Sequence, residues 1–137
     1  MRAKPDRQST GAGEPGIPAR LREPLVRAAL RLSDALDDIP KRRSWSRRKR
    51  SSARVTALQR AMRTYEMRCA EFSLEVRGCA SALQRSGHSM GVSLVALRAA
   101  VDRALVKQRT PSRVREIVLA EVTCANVMEY NGLDDRP

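Results

Sequence analysis

The strongest constraint on the fold is an apolar heptad pattern through the middle of the chain. Its apolar residues recur three and then four positions apart over four heptads. This 3.5-residue spacing places one apolar stripe along an α-helix, and the stripe needs another helix along its length. We therefore predict a long helix over residues 52–85, with a coiled-coil-like seam. Its partner helix comes from the same chain or from a second copy. The seam residues are Val55, Leu58, Met62, Tyr65, Cys69, Phe72, Val76, Cys79 and Leu83.

A first, shorter helix is predicted over residues 24–39. Pro24 suits the first turn of a helix, because N–H groups in that turn have no partner within the helix and Pro lacks this group. Pro40 cannot continue the helix. The apolar positions alternate by four and three, as expected of one buried face. They are Leu25, Ala29, Leu32, Leu36 and Ile39.

The third and fourth helices are predicted over residues 92–108 and 111–130. Thr110 is expected to cap the fourth helix, with Pro111 as its first residue, and Gly132 follows its C-terminus. Both helices carry apolar residues at helical spacing. The expected inward positions are Leu94, Leu97, Val101 and Leu105 in the third helix, and Val114, Ile117, Val118, Val122, Ala125 and Met128 in the fourth.

These elements predict an all-α fold, a small bundle of about four helices built around one long central helix. The chain has 137 residues and only four aromatic ones, so its core has to be built from aliphatic side chains and Ala, which favour helix. The seam is expected to pack against the third and fourth helices, with a bend or close crossing at Gly78. In order along the chain, the segments are a flexible, disordered tail (1–19), the first helix (20–40), an Arg-rich linker (41–54), the bundle core (55–131) and a C-terminal tail (132–137).

The charge of the chain is concentrated in residues 41–54, here called the basic run. The run supplies +8 of the formal +12, whereas residues 1–40 carry +1 and residues 55–137 carry +3. Such a density of one charge repels itself, and a polyanion relieves that repulsion. We therefore predict a nucleic-acid-binding segment composed of Lys41, Arg42, Arg43, Trp45, Arg47, Arg48, Lys49, Arg50 and Arg54.

The residue types of the run favour RNA somewhat over DNA. Arg side chains hold phosphates with two parallel hydrogen bonds, and the indole of Trp45 can stack on an unpaired base. Arg-rich segments of this kind often fold on structured RNA. Trp45 could instead anchor the run on the bundle, and in a eukaryotic or viral host the run could act as a nuclear localisation signal.

A second basic locus lies at the turn between the third and fourth helices. It consists of Arg109, Arg113 and Arg115. Two helices joined by a short turn could form a helix-turn-helix DNA reader. An ordinary bundle corner with solvated charges is the favoured interpretation, because the turn carries Pro rather than Gly and the pattern is loose.

No residue pattern indicates catalysis, a metal site or a cofactor. Cys69, Cys79, Cys124 and His88 match no metal-ligand spacing, and the three thiols are expected to be free. With neither a secretion signal nor a membrane-length apolar stretch, an intracellular protein is expected. It would lie in the nucleus if eukaryotic or viral and otherwise in the cytoplasm.

Two functional hypotheses follow. The first is a non-enzymatic nucleic-acid-binding regulator, expected to be a homo-oligomer, that uses the basic run. The second is a helical protein–protein interaction module, an adaptor or antagonist such as a viral accessory protein. Its exposed apolar residues, such as Leu74, would form the interface. In that case the run is a localisation signal or a dock for an acidic partner.

Overall fold

Four helices make up the part of the chain that the structure describes. The structure is a computed structural model that describes residues 16–39 and 52–132. Within those two ranges no strand is formed, so the predicted all-α bundle is confirmed. The helices are α1 (Ala19–Asp37), α2 (Ser52–Arg85), α3 (Met90–Lys107) and α4 (Ser112–Tyr130).

Helices α3 and α4 pack side by side and antiparallel. The buried Ser93 hydroxyl donates to Oδ1 of Asn126 at 2.8 Å. Nearer the turn that joins the helices, Nε of Arg115 lies 3.2 Å from Oδ1 of Asp102. At the far end, the Tyr130 hydroxyl donates to the backbone oxygen of His88, just before α3, at 2.9 Å. These contacts extend over the whole length of the pair.

Helix α4 runs parallel to α2. Nε of Arg77 lies 3.0 Å from Oε1 of Glu129, and Glu121 lies close enough to the Cys69 thiol for its charge to raise the pKa of that thiol. In both pairs the α4 residue comes 52 positions after its α2 partner, so the two helices advance together. Ser112, the first residue of α4, is therefore level with residue 60 of α2.

Helix α1 is antiparallel to α2. The Cys79 thiol lies 3.6 Å from the backbone oxygen of Leu21, near the start of α1. Only six residues of α2 follow Cys79, whereas sixteen of α1 follow Leu21. Because these two helices share the most extensive contact in the bundle, α1 has to run back along α2. Its last residue, Asp37, is then level with about residue 63.

The core lies where all four helices overlap. Helix α1 neighbours α2 and α3, and α4 neighbours the same two helices. Phe72 of α2 is fully buried, and aliphatic side chains from every helix surround it. The largest fully buried apolar side chains are Phe72, Leu25, Leu32, Leu97, Leu105, Val76, Val101, Val118 and Val122.

Helix α2 extends past its neighbours at its N-terminal end. It has 34 residues, whereas the other helices have 18 or 19. Residues 52–59 lie beyond the start of α4, which is about 12 Å of helix at 1.5 Å per residue. We call this segment the α2 overhang. Consistent with this geometry, the first buried residue along the described side chains of α2 is Phe72.

The predicted burial of the seam is therefore only half right. Phe72 and Val76 are buried, but Leu58 and Tyr65 are half-buried and Met62 is 39% exposed. The prediction that α3 and α4 cover the seam omitted α1, which packs along α2 more extensively than either of them. The three shorter helices cannot reach the first turns of α2.

Several local predictions were also wrong. Helix α1 begins five residues before Pro24, because Ile17 is buried and the backbone oxygen of Pro18 accepts hydrogen bonds at 2.9 Å from the first turn. Pro111, not Thr110, is the N-cap of α4. Ile117 is 41% exposed rather than buried. Nothing lies within 4 Å of a Cβ placed on Gly78, so no helix crosses closely there.

Truncation of Phe72 is expected to destabilise the bundle strongly. Phe72→Ala should lower the free energy of unfolding by about 3–5 kcal/mol, because a fully buried ring is replaced by a cavity. Leu74→Ala, two residues away on the exposed face, should change it by less than about 0.5 kcal/mol. Urea unfolding followed by circular dichroism measures both, and a similar loss in the two variants would contradict the core described above.

Two glycines with equally open surroundings are expected to respond oppositely to alanine. Gly78→Ala should raise the free energy of unfolding by about 1 kcal/mol, because Ala is the better residue inside a helix. Gly87→Ala should lower it, because Gly87 has a φ of +90° that an L side chain rarely adopts. The same unfolding experiment tests the pair. A stability gain in both variants would exclude the backbone conformation as the cause.

Candidate functional site

The structure places one predicted nucleic-acid-binding residue, Arg54, and the three residues of the second basic locus. Arg54 is partly buried in the first turns of α2, and Arg109, Arg113 and Arg115 surround the α3–α4 corner. The remaining predicted contacts lie outside the described residues. These are Lys41, Arg42, Arg43, Trp45, Arg47, Arg48, Lys49 and Arg50.

The α3–α4 corner is fixed by backbone hydrogen bonds. The N–H of Thr110 donates to the oxygen of Leu105 at 3.0 Å, and that of Arg109 donates to the oxygen of Val106 at 2.9 Å. This pair of bonds is a Schellman motif, in which one residue adopts the left-handed conformation. That residue is Arg109, with a φ of 60°, the only described non-glycine residue with a positive φ. The exposed Arg109 side chain therefore stands at a corner position that Gly usually occupies.

Arg113 extends the positive charge onto the first turn of α4. That turn contains no acidic residue, and no side chain caps it. Arg113 is exposed, in contrast to Arg115, whose guanidinium pairs with Asp102. The second basic locus thus divides into two solvated cations, Arg109 and Arg113, and one that takes part in holding α3 against α4.

Two further arginines that the sequence reasoning missed lie at the same end of the bundle. Arg60 is level with the start of α4, and Arg63 is level with the end of α1; both are exposed. Along the sequence they are the next two basic residues after the basic run, and no acidic residue lies between. Counting charges past residue 54 would have found them, because the first acidic residue after the run is Glu66.

The basic run is therefore attached at the end of the bundle that carries the second basic locus. Ile39, just after α1, and Ser52, the first residue of α2, are the two described residues that flank the run. Since α1 ends and α2 and α4 begin at one end of the bundle, this end carries both attachment points of the run. It also carries Arg109 and Arg113. We call it the basic end.

The basic end is not uniformly positive. Asp34, Asp37 and Asp38 are exposed at the C-terminal end of α1. Carboxylates at a helix C-terminus interact unfavourably with the negative end of the helix dipole, and cations close by would offset that interaction. A pairing of these carboxylates with the basic run would involve side chains outside the described residues.

The thiols of Cys69 and Cys79 are not activated. Burial raises the pKa of Cys69 to about 11, and Glu121 acts in the same direction through its charge and hydrogen bond. Burial, followed by the charge of Glu75, raises the pKa of Cys79 to about 12. Both thiols are thus protonated at neutral pH, whereas a nucleophilic Cys has to be a thiolate. Burial likewise raises the pKa of Tyr65, which neighbours Cys69 and Glu121.

The described residues contain no group of three or more His, Cys, Asp or Glu side chains that could hold a metal ion. Cys124 is exposed, and His88 is half-buried with its backbone oxygen bonded to Tyr130. The corner also lacks helix-turn-helix geometry. Helices α3 and α4 stay in contact over their whole length, whereas helix-turn-helix helices cross at a steep angle.

Comparison of the chain with protein-family models, with curated proteins and with solved structures finds no match. Over residues 16–39 and 52–132, no helix has the length and apolar character needed to cross a membrane.

Two replacements of Arg109 distinguish the conformational cost of its left-handed backbone from the effect of its charge on stability. Arg109→Gly should raise the free energy of unfolding by about 1 kcal/mol, because Gly adopts a positive φ without steric cost. Arg109→Ala removes the same charge but keeps a Cβ in the left-handed region, so it should give no such gain. Thermal unfolding at matched ionic strength compares the two variants, and equal stability would show that the corner is unstrained.

Proposed function

We propose that the protein is a non-enzymatic regulator that binds nucleic acid, RNA somewhat ahead of DNA, through the basic run and the basic end of the bundle. One observation carries this proposal. Both attachment points of the run, Ile39 and Ser52, lie at the end of the bundle that presents Arg109 and Arg113. The run is therefore attached to the bundle at the same end as the second cationic locus, although the two are far apart in the sequence.

The charge density of this surface suits a phosphate backbone. Between Ile39 and Glu66 the chain has ten basic residues and no acidic one. Each phosphate that a cation neutralises releases condensed counterions, which favours binding at low salt. Arg predominates among these cations, and its planar guanidinium matches phosphate geometry with two hydrogen bonds.

The preference for RNA depends on Trp45. An indole between two clusters of guanidinium groups can stack on a base that is unpaired in a loop or single strand. A closed duplex offers no such base. Single-stranded DNA also offers such bases, but Arg-rich segments often fold on structured RNA, so looped RNA is the expected ligand ahead of DNA.

A salt titration with charge variants tests the proposal. If six phosphates of a duplex are neutralised, the slope of log affinity against log salt should be about −5. Replacing Arg42, Arg43, Arg47, Arg48 and Arg50 by Ala should flatten this slope by about 4 for a duplex. Fluorescence anisotropy with RNA, double-stranded DNA and single-stranded DNA of equal length measures the slopes, and circular dichroism checks the fold. Wild-type binding by the Arg-depleted protein would exclude the run as the site.

A second pair of variants tests the contribution of the basic end, with a matched control near the start of α1. Arg109→Ala with Arg113→Ala should reduce the magnitude of the slope by up to about 2. Arg20→Ala with Arg22→Ala removes two exposed arginines next to Leu21, far from the run, and should leave the slope unchanged. An equal loss in both double variants would mean that only net charge matters. Trp45→Ala should weaken single-stranded ligands by about 1–3 kcal/mol and scarcely affect a duplex.

A second candidate function is that of a helical protein–protein interaction module. It is favoured by the outer face of α2, where Met67, Ala70 and Leu74 are exposed at helical spacing and Leu74 is 70% exposed. An amphipathic partner helix could dock there. The basic run would then be a localisation signal or a dock for an acidic partner. This function takes precedence if the wild-type protein binds no nucleic acid at physiological salt.

A further inference from the structure

Helix α4 ends in two exposed residues that the proposed function does not use. They are Asn131, the C-cap of the helix, and Gly132, which follows it. Gly132 has a φ of +67°, which suits a helix end because Gly carries no Cβ. An exposed amide side chain thus lies directly before a residue whose backbone nitrogen has no side chain of its own to shield it.

The surroundings of Gly132 are open. In the described part of the chain, nothing lies within 4 Å of a Cβ placed on it. The hydrogen bond recorded there for its backbone N–H goes to the oxygen of Glu129 at 3.2 Å. Because the last turn of a helix frays more readily than its interior, this bond opens without unfolding of the core. Rotation about ψ of Asn131 then brings the nitrogen of Gly132 to the side-chain carbon Cγ.

The two residues can react with each other in that arrangement. The nitrogen of Gly132 attacks Cγ of Asn131, and the new N–Cγ bond closes a five-membered succinimide ring. The Cγ–Nδ2 bond breaks, and ammonia leaves with the proton of the attacking nitrogen. Water then opens the ring: attack at Cγ gives aspartate, and attack at the backbone carbonyl gives isoaspartate. One water is consumed and one ammonia is released, so no other reactant is needed.

The other asparagine of the chain lies in surroundings that prevent this reaction. Asn126 is fully buried within α4. Its Oδ1 accepts from the Ser93 hydroxyl at 2.8 Å, and its Nδ2 donates to the backbone oxygen of Met90 at 3.2 Å, so the amide is held in place. The next residue, Val127, is branched at Cβ, which hinders attack by its backbone nitrogen. Structure and sequence therefore both distinguish the two asparagines.

We propose that Asn131 is a modification site, at which spontaneous deamidation through the nitrogen of Gly132 converts the amide to aspartate or isoaspartate. The product carries a negative charge at the C-terminus of α4, where the helix dipole disfavours it, and follows the Glu129 carboxylate by two residues. The reaction therefore weakens the last turn of α4. The same turn contains Tyr130, whose hydroxyl donates to the backbone oxygen of His88 at 2.9 Å.

The modification site lies far from the basic end. Arg113 is in the first turn of α4, and Asn131 follows the last residue of that helix. They are about 27 Å apart along the helix at 1.5 Å per residue. This distance exceeds the Debye length of about 8 Å at physiological salt. Deamidation should therefore leave the salt dependence of nucleic-acid binding unchanged, and the two proposals can fail independently.

Mass spectrometry of the aged full-length protein tests the proposal. The protein is incubated in mildly alkaline buffer and then cleaved after glutamate, which separates Asn126 from Asn131 because Glu129 lies between them. The fragment with Asn131 should gain the mass difference between NH2 and OH and become a substrate for an isoaspartyl methyltransferase. The fragment with Asn126 should keep its mass. An unchanged mass at Asn131, or an equal gain in both fragments, would overturn the proposal.

Variants at the two residues test the route of the reaction. Asn131→Gln lengthens the side chain by one methylene, so ring closure is slower and the mass gain should be lost. Gly132→Ala adds a Cβ beside the attacking nitrogen and should slow the gain severalfold, although the amide remains. An undiminished rate in Gly132→Ala would refute attack by that nitrogen.

A third variant tests the effect of the product on the bundle. Asn131→Asp carries the charge of the product from the start and should unfold at a lower temperature than the wild type, whereas Asn131→Gln should not. Both changes are at an exposed position, so circular dichroism should show native helix content in each. Equal unfolding temperatures of Asn131→Asp and Asn131→Gln would refute the weakening of the last turn.

Discussion

The difference in length between α2 and its three neighbours governs the structure. A core forms only where all four helices overlap, and the shorter helices do not reach the first turns of α2. The apolar seam of α2 continues beyond that region, so its first turns carry apolar residues without a covering helix. The same turns follow the basic run. The mismatch in length thus brings charge and half-covered apolar surface together at one end of the bundle.

Polar contacts fix how the helices are placed along one another. Asn126 is fully buried, yet it accepts from Ser93 and donates to the backbone oxygen of Met90 at 3.2 Å, so its burial is compensated. Apolar packing alone tolerates sliding by a turn, whereas sliding would leave this amide unsatisfied at a cost of about 1–3 kcal/mol. Arg77 and Glu129 fix α4 against α2 in the same way. The position of Arg109 and Arg113 relative to α2 follows from these contacts.

The sequence was sufficient to locate the helices but not the surfaces that they bury. The heptads predicted α2 over 52–85, and the structure has the same bounds, because helical periodicity is a local property. Ile117 has helical spacing from Val114, yet it faces solvent, since only the packing partners decide which flank of a stripe is covered. The run was evident from composition, but its convergence with Arg109 depends on the tertiary register. No local signal could have predicted the left-handed φ of an Arg.

The attachment of the run at both of its ends has a consequence for binding. The segment between Ile39 and Ser52 cannot diffuse away from the basic end, so an anion held by one of the two cationic loci meets the other as an intramolecular partner. The second contact then depends on an effective concentration that is set by the length of the segment. In the proposed function, the two loci thus act as one bivalent receptor.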